Sequence, residues 1–216
     1  MEIRILYEDA SLILCEKPAG LLSEEGGMPD LLRSQLGTKQ VLCVHRLDRA
    51  VGGLMVYARR KEAAAALSRQ IAEGGFQKQY LAVCLGELPD SGEMRDLLYH
   101  DAKSNKSFVV LRMRKGVREA VLRYETLERR EGLSLVRVEL LTGRSHQIRV
   151  QFASRRLPLL GDRRYGGGAG TGPALWSCAL RFQHPETGRD IALTLPPPPS
   201  EPWLRFSSLY DNKTTG

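Results

Sequence analysis

The sequence predicts an α+β fold built on a largely antiparallel mixed sheet. Apolar runs of strand length outnumber segments of helical period, and they come as neighbours separated by tight turns. No internal repeat and no low-complexity linker interrupts the 216 residues, and a hydrophobic content of 42% suffices for a real core without staples. We therefore expect one domain over residues 1–210 and a loose tail at 211–216.

The elements follow in order. Ile3 to Glu8 and Ser11 to Cys15 are short apolar runs around Asp9-Ala10, a tight strand pair. Lys17-Pro18-Ala19-Gly20 ends the second, since proline fixes φ and glycine permits reversal. Pro29 to Leu36 has helical spacing and stops at Gly37. Val41 to Val44 is an apolar run of strand length that leads into His45-Arg46-Leu47-Asp48-Arg49. Gly52-Gly53 then turns the backbone closely before a second apolar run to Tyr57. Lys61 to Ala72, with alanines at 63–66 and Gly74-Gly75 as its stop, is the clearest helix.

Phe76 to Gly86 reads as a strand with Lys78, Tyr80 and Ala82 on one face. Leu88 to Val117 turns polar, a surface excursion with a hairpin around Phe108 to Met113. Ala120 to Leu127 and Leu133 to Leu141 alternate as an antiparallel hairpin closed at Gly132. A helix then opens after Ser145 as N-cap, with Ile148 and Phe152 toward the core and His146 and Arg149 on another side. Gly166 to Gly172 reads as a flexible loop, without the Lys-Ser or Lys-Thr of a phosphate-binding loop. Leu175 to Phe182 and Ile191 to Leu195 are closing strands, and Trp203, Leu204 and Phe206 tuck a short tail back.

Composition narrows the function. The net charge is +7, with 24 Arg against 8 Lys, and the isoelectric point is about 9.4. Arg offers a planar fork that suits phosphate and stacks on bases, so a polyanionic partner is favoured over a membrane, although an Arg-rich surface alone does not establish one. Cys15, Cys43, Cys84 and Cys178 lack metal-ligand spacing, and His45, His100, His146 and His184 are widely spaced. We expect no metal, buried thiols and a cytoplasmic protein, since Met1 opens into Glu2-Ile3-Arg4-Ile5-Leu6 without a leader.

The stretch His45-Arg46-Leu47-Asp48 with Gly53-Leu54 resembles the signature of the RluA-type pseudouridine synthase family. Further segments follow in that family's order: Tyr7-Glu8-Asp9 with Glu16-Lys17-Pro18-Ala19-Gly20, the strand with Tyr80, Leu141 to Ala153, and Gly161-Asp162 with Tyr165-Gly166. The resemblance runs from about Ile3 to Pro196. It implies that family's catalytic fold with a central cleft, and an isomerase that detaches uracil N1 from ribose C1′ and rejoins the base through C5, without a cofactor. It also implies the roles. Asp48 is the nucleophile, attacking C1′ or C6, and Arg149 is the cation that keeps it ionised through an Asp48–Arg149 pair. Tyr80 lies under the base, with its hydroxyl a candidate for helping remove the C5 proton, and Ile148 is an apolar wall. Arg46 fills the gap left by the turned-out uridine. His45, Arg144 and His146 join the RNA-binding set.

Two departures stand out. Val51-Gly52-Gly53 replaces the family's common Thr-Ser-Gly, which removes two hydroxyls that would brace the catalytic loop, and Gln151 stands where His is frequent. No N-terminal RNA-binding domain of the sort some members carry is read, which leaves recognition of rRNA or tRNA to a monomeric catalytic domain. A glycosidase is disfavoured, since it generally needs two carboxylates and Asp9 and Asp162 lie in turns. An RNA-binding protein of the same fold that has lost catalysis is the alternative. Lys17 reads either as part of the first motif or as a solvated loop residue.

Overall fold

The computed structural model describes residues 1–210, so the tail expected at 211–216 lies outside the described residues. The chain divides into two compact units: Met1–Gln79 with Trp176–Leu195, and Tyr80–Leu175 with the described residues that follow Leu195. The class is α+β, as expected, with three α-helices among the described residues and predominantly strands.

In the first unit β1 (Ile5–Glu8) and β2 (Leu12–Lys17) form the expected antiparallel pair. Asp9 makes the turn: Oδ1 accepts the N–H groups of Ser11 and Leu12 at 2.7 and 2.8 Å, and Oδ2 lies 2.7 Å from His184 Nε2. It is a structural carboxylate. β2 pairs antiparallel with β4 (Gly52–Ala58), every residue of which is buried, and β4 runs parallel to β10 (Leu175–Gln183). β11 (Asp190–Thr194) closes onto β10. The parallel pair makes the sheet mixed.

Helix α1 (Met28–Leu36) buries Met28, Pro29 and Leu32 and ends at left-handed Gly37. Helix α2 (Lys61–Glu73) buries Ala63 and Leu67 and ends at left-handed Gly74. The strand expected at Val41 to Val44 shrinks to the two-residue β3 (Leu42–Cys43). Its chain turns away early, because the next residues serve a loop rather than a ladder.

Gly52 and Gly53 sit where β4 meets β10. A Cβ on Gly52 would stand 2.6 Å from the Trp176 ring, and one on Gly53 2.3 Å from the Ser177 carbonyl oxygen. Gly53 also has φ 119, a conformation that side chains resist. Gly53→Ala is expected to cost about 3 kcal/mol in urea unfolding, from backbone strain and collision together. Unchanged stability would refute the β4–β10 register.

In the second unit the strand order is β5 (Gln77–Leu85, from Tyr80 on), β9 (Leu133–Leu140), β8 (Val117–Arg130), β6 (Ser91–Asp101) and β7 (Lys106–Val110). The β8–β9 hairpin is as expected, with Gly132 at φ 73. The expected surface excursion is mostly strand, and within it 111–116, between β7 and β8, is an exposed loop. Residues 91–101 form a strand pairing both β7 and β8, and the hairpin turn falls at 102–105 rather than around Phe108 to Met113. Polar alternation on a strand with one solvated face looks like a loop in sequence.

Helix α3 (Gln147–Ser154) lies on this sheet, with Val150 packed against Leu98 and Ala120. Its N-cap is His146, at φ 55, and not Ser145, whose carbonyl instead accepts the Ser107 hydroxyl at 2.6 Å. Within the Gly166–Gly172 segment Gly167 is buried, while Gly166 and residues 168–171 are exposed. A Cβ on Gly167 would collide with the Leu159 carbonyl, and the Gly167 amide bonds the Asp162 carbonyl at 2.8 Å. Trp203 and Phe206 are buried while Leu204 is exposed. No helix among the described residues is long and apolar enough to cross a membrane.

Candidate active site

Asp48 is half-buried at the end of a loop that backbone and side-chain contacts hold at several points. Ser23 brackets Leu47, its hydroxyl donating to the Leu47 carbonyl at 2.8 Å and accepting the Leu47 N–H at 3.0 Å. The Tyr57 hydroxyl bonds the Ser23 carbonyl at 2.9 Å. Val51 N–H closes a turn on the Asp48 carbonyl at 2.9 Å, and Gly20 N–H reaches the Arg49 carbonyl at 2.7 Å. The bracing that a Thr-Ser pair would supply at 51–52 therefore comes from elsewhere. No side chain fits at 52 in any case.

Lys17 is fully buried beneath this loop, its Nζ donating to the carbonyls of Pro18 and Arg49 at 3.0 and 3.3 Å. It is no solvated residue. Burial pulls its ammonium down to about 8, and the nearby Asp48 carboxylate acts in the opposite direction. Up to that pH it places a positive charge beside Asp48. Because the folded protein releases this proton before the unfolded chain does, the Lys17 contribution to stability rises between about pH 8 and the ordinary 10.5. The difference in unfolding free energy between wild type and Lys17→Met should climb across that window, by up to about 1.4 kcal/mol per pH unit, and stay flat below it. A flat difference throughout would mean the amine is hydrated.

His45 lies under the loop rather than on its surface. Its Nε2 accepts the Val56 N–H at 3.1 Å, and its ring sits 5.5 Å from that of Phe76. Burial, with the Lys78 charge adding, pushes it down to about 3, so it is neutral at ordinary pH. Arg46 is exposed and pairs with Glu24 at 3.2 Å, a surface contact worth at most about 1 kcal/mol and easily exchanged for phosphate or base.

In the second unit Arg149 is buried and locked. Its Nε and Nη2 fork onto the Asp162 carboxylate at 2.7 and 2.8 Å, and Asp162 is 1% exposed. The Tyr165 ring lies 5.1 Å from the guanidinium carbon. The Tyr165 hydroxyl accepts the Ser107 N–H at 2.7 Å and is 2.9 Å from His146 Nδ1, while Ser107 Oγ is 3.1 Å from His100 Nδ1. Gln147 fixes the turn into α3: its Oε1 accepts from the Thr142 hydroxyl at 2.8 Å and the Arg144 amide at 3.0 Å, and its Nε2 donates to the Val121 carbonyl at 3.1 Å. Gln151 is buried and donates to Asp96 at 2.7 Å.

Ile148 is buried on the same helix, and Tyr80 is buried on β5. Arg144 is exposed, its Nε bonding the Glu119 carbonyl at 2.9 Å. The first unit thus brings His45, Arg46 and Asp48 into one loop, and the second gathers Arg144, His146, Ile148 and Arg149 around the start of α3. Ser23, Gln147 and the Asp162–Arg149 fork escape a reading of spacing, because each acts across at least one intervening element or turn. Asp162 and Tyr165 had a signal in Gly161-Asp162…Tyr165-Gly166.

This fold is a known one. A human protein described as RNA pseudouridylate synthase domain containing 1 superposes with a TM-score of 0.78 over 91% of this chain and 84% of its own, at 21% identity. The sequence profile of the RNA pseudouridylate synthase family matches residues 11–154, and this chain belongs to that family. Among its relatives, ribosomal large subunit pseudouridine synthase D of Xanthomonas campestris is 32% identical over 91% of this chain and 66% of its own length. Ribosomal large subunit pseudouridine synthase C of Escherichia coli is 33% identical over 89% and 66%. The chain spans slightly less than two thirds of the length of these relatives.

Proposed function

We propose that this protein isomerises a specific uridine to pseudouridine in structured RNA, with Asp48 as the nucleophile. The observation that carries this reading is the Asp48 loop itself: a half-exposed carboxylate at the end of a loop clamped by Ser23, with the buried Lys17 ammonium beneath it. A solvated turn has no need of such clamping. A carboxylate that attacks and later leaves the substrate needs a fixed position and a cation to keep it charged.

The remaining roles are those the family resemblance implies. By that resemblance Arg149 is the cation that keeps Asp48 ionised, and the fork on Asp162 fixes the guanidinium's orientation. Tyr80 stacks under the uracil and its hydroxyl assists proton transfer at C5, while Ile148 excludes water. Arg46 leaves Glu24 to occupy the gap where the target base is turned out. Arg144 and His146 contact RNA beside it, and His45 supports the loop from below. The reaction rearranges one nucleotide and adds no group, so no cofactor is required. The relatives' names favour ribosomal RNA over transfer RNA as the substrate.

Purified protein should be incubated with total RNA from a host lacking the gene, and pseudouridine located by carbodiimide-dependent stops in reverse transcription. One new site with wild type and none with Asp48→Asn is expected. No new site in any RNA, with binding intact, would overturn the reading.

A further inference from the structure

A second feature of the Tyr80–Leu175 unit shares Arg144 with the RNA contacts above and adds residues they do not use. A cleft of about 210 Å³ opens between β6, β7, the start of β8 and the turn before α3, lined by His100, Ser107, Arg118, Gly143, Arg144 and Ser145. It is smaller than the roughly 300 Å³ at which sites for whole small molecules begin, which suits a single ionic group. Its lining contains two guanidinium groups, an imidazole and two hydroxyls, and no carboxylate.

The two arginines come from different elements. The Arg118 guanidinium has no hydrogen bond or ion pair among the described residues, and Arg144 uses its Nε on the Glu119 carbonyl. The Gly143 and Ser145 amides likewise lack acceptors among the described residues. Donors gathered without acceptors call for an anion. The surrounding chain agrees: residues 102–118 carry Lys103, Lys106, Arg112, Arg114, Lys115 and Arg118 and no Asp or Glu. Leu111 and Met113 stand exposed in the same segment, at 96% and 63%. Such a surface suits a polymer that alternates phosphate with apolar faces.

We propose that this cleft binds one phosphodiester of the substrate RNA, gripped by Arg118 and Arg144, and so sets the register of the strand along α3. The proposal rests on RNA being the substrate. A phosphate held here carries no sequence information, so the site positions the RNA and leaves selection to other contacts.

The test measures binding of a labelled single-stranded oligouridylate by fluorescence anisotropy over a salt titration. Arg118→Gln should weaken binding five- to tenfold and reduce the slope of log affinity against log salt by about 1, and Arg118→Gln/Arg144→Gln should reduce it by about 2. Lys39→Gln, an exposed cation in the other unit, is the comparison, and circular dichroism verifies that each variant is folded. Arg118→Lys should recover part of the loss. Effects no larger than that of Lys39→Gln would overturn the site. Turnover separates this failure from that of the isomerase reading: oligouridylate binding that depends on Arg118 in a protein that isomerises nothing refutes only the latter. Isomerisation with unaltered binding in the double variant refutes only the former.

Discussion

Asp48→Asn is expected to remove isomerisation, by at least about a thousandfold in single-turnover rate, while RNA affinity stays within a few-fold. The amide has the size of the carboxylate and keeps the half-buried position, so the Ser23 clip and the Val51 turn remain. What is lost is the negative charge and the lone pair that attacks. A second readout follows from the same change. Asp48 opposes the effect of burial on Lys17, so the Lys17 amine in Asp48→Asn should titrate below its present value of about 8. Preserved turnover would remove Asp48 from the mechanism, and an unmoved Lys17 would show that the two charges do not sense each other.

Arg149→Met should be the most destabilising single change in the second unit. It leaves Asp162, 1% exposed, without the fork that holds it, and breaking a buried pair from one side costs about 3–5 kcal/mol. Arg149→Met/Asp162→Leu should regain much of that loss in urea unfolding, because no charge is then stranded. Activity should not return with stability. The double variant lacks the cation assigned to Asp48, so its rate should stay low across neutral pH, whereas Asp162→Asn keeps the cation and loses only part of its alignment. A double variant that is stable and fully active would overturn the role of Arg149.

The helices and most strands were legible because their signals are local. The alanine run and Gly74 bound α2, and alternation with Gly132 marks the β8–β9 hairpin. Ser91–Asp101 was not legible, since a strand with a solvated face has the composition of a loop until its partners on both sides are known. The N-terminus of α3 was misplaced by one residue. A serine at a helix start is a sound prior, but here its carbonyl is engaged by Ser107, and left-handed His146 begins the helix.

The Asp48 loop could be found from its own residues and from the family's pattern. Its bracing could not. Ser23 lies 24 residues before Leu47, and no period connects them. The replacement of Thr-Ser by Val51-Gly52 suggested a loose loop, whereas the structure explains Gly52 by the Trp176 ring and supplies the missing hydroxyl from Ser23. Lys17 shows the same limit in electrostatics: the sequence places it before a proline, and only the fold puts it under a carboxylate.

The parallel contact between β4 and β10 also has a consequence for synthesis. β4 follows the Asp48 loop directly, yet the strand that lies along its glycines is made more than a hundred residues later. A ribosome adding about 5–20 residues per second exposes that edge of β4 for several seconds before Trp176 and Ser177 can cover it. The nascent chain thus carries the proposed nucleophile early, but on a half-finished scaffold. That scaffold closes only once Trp176 and Ser177 have emerged.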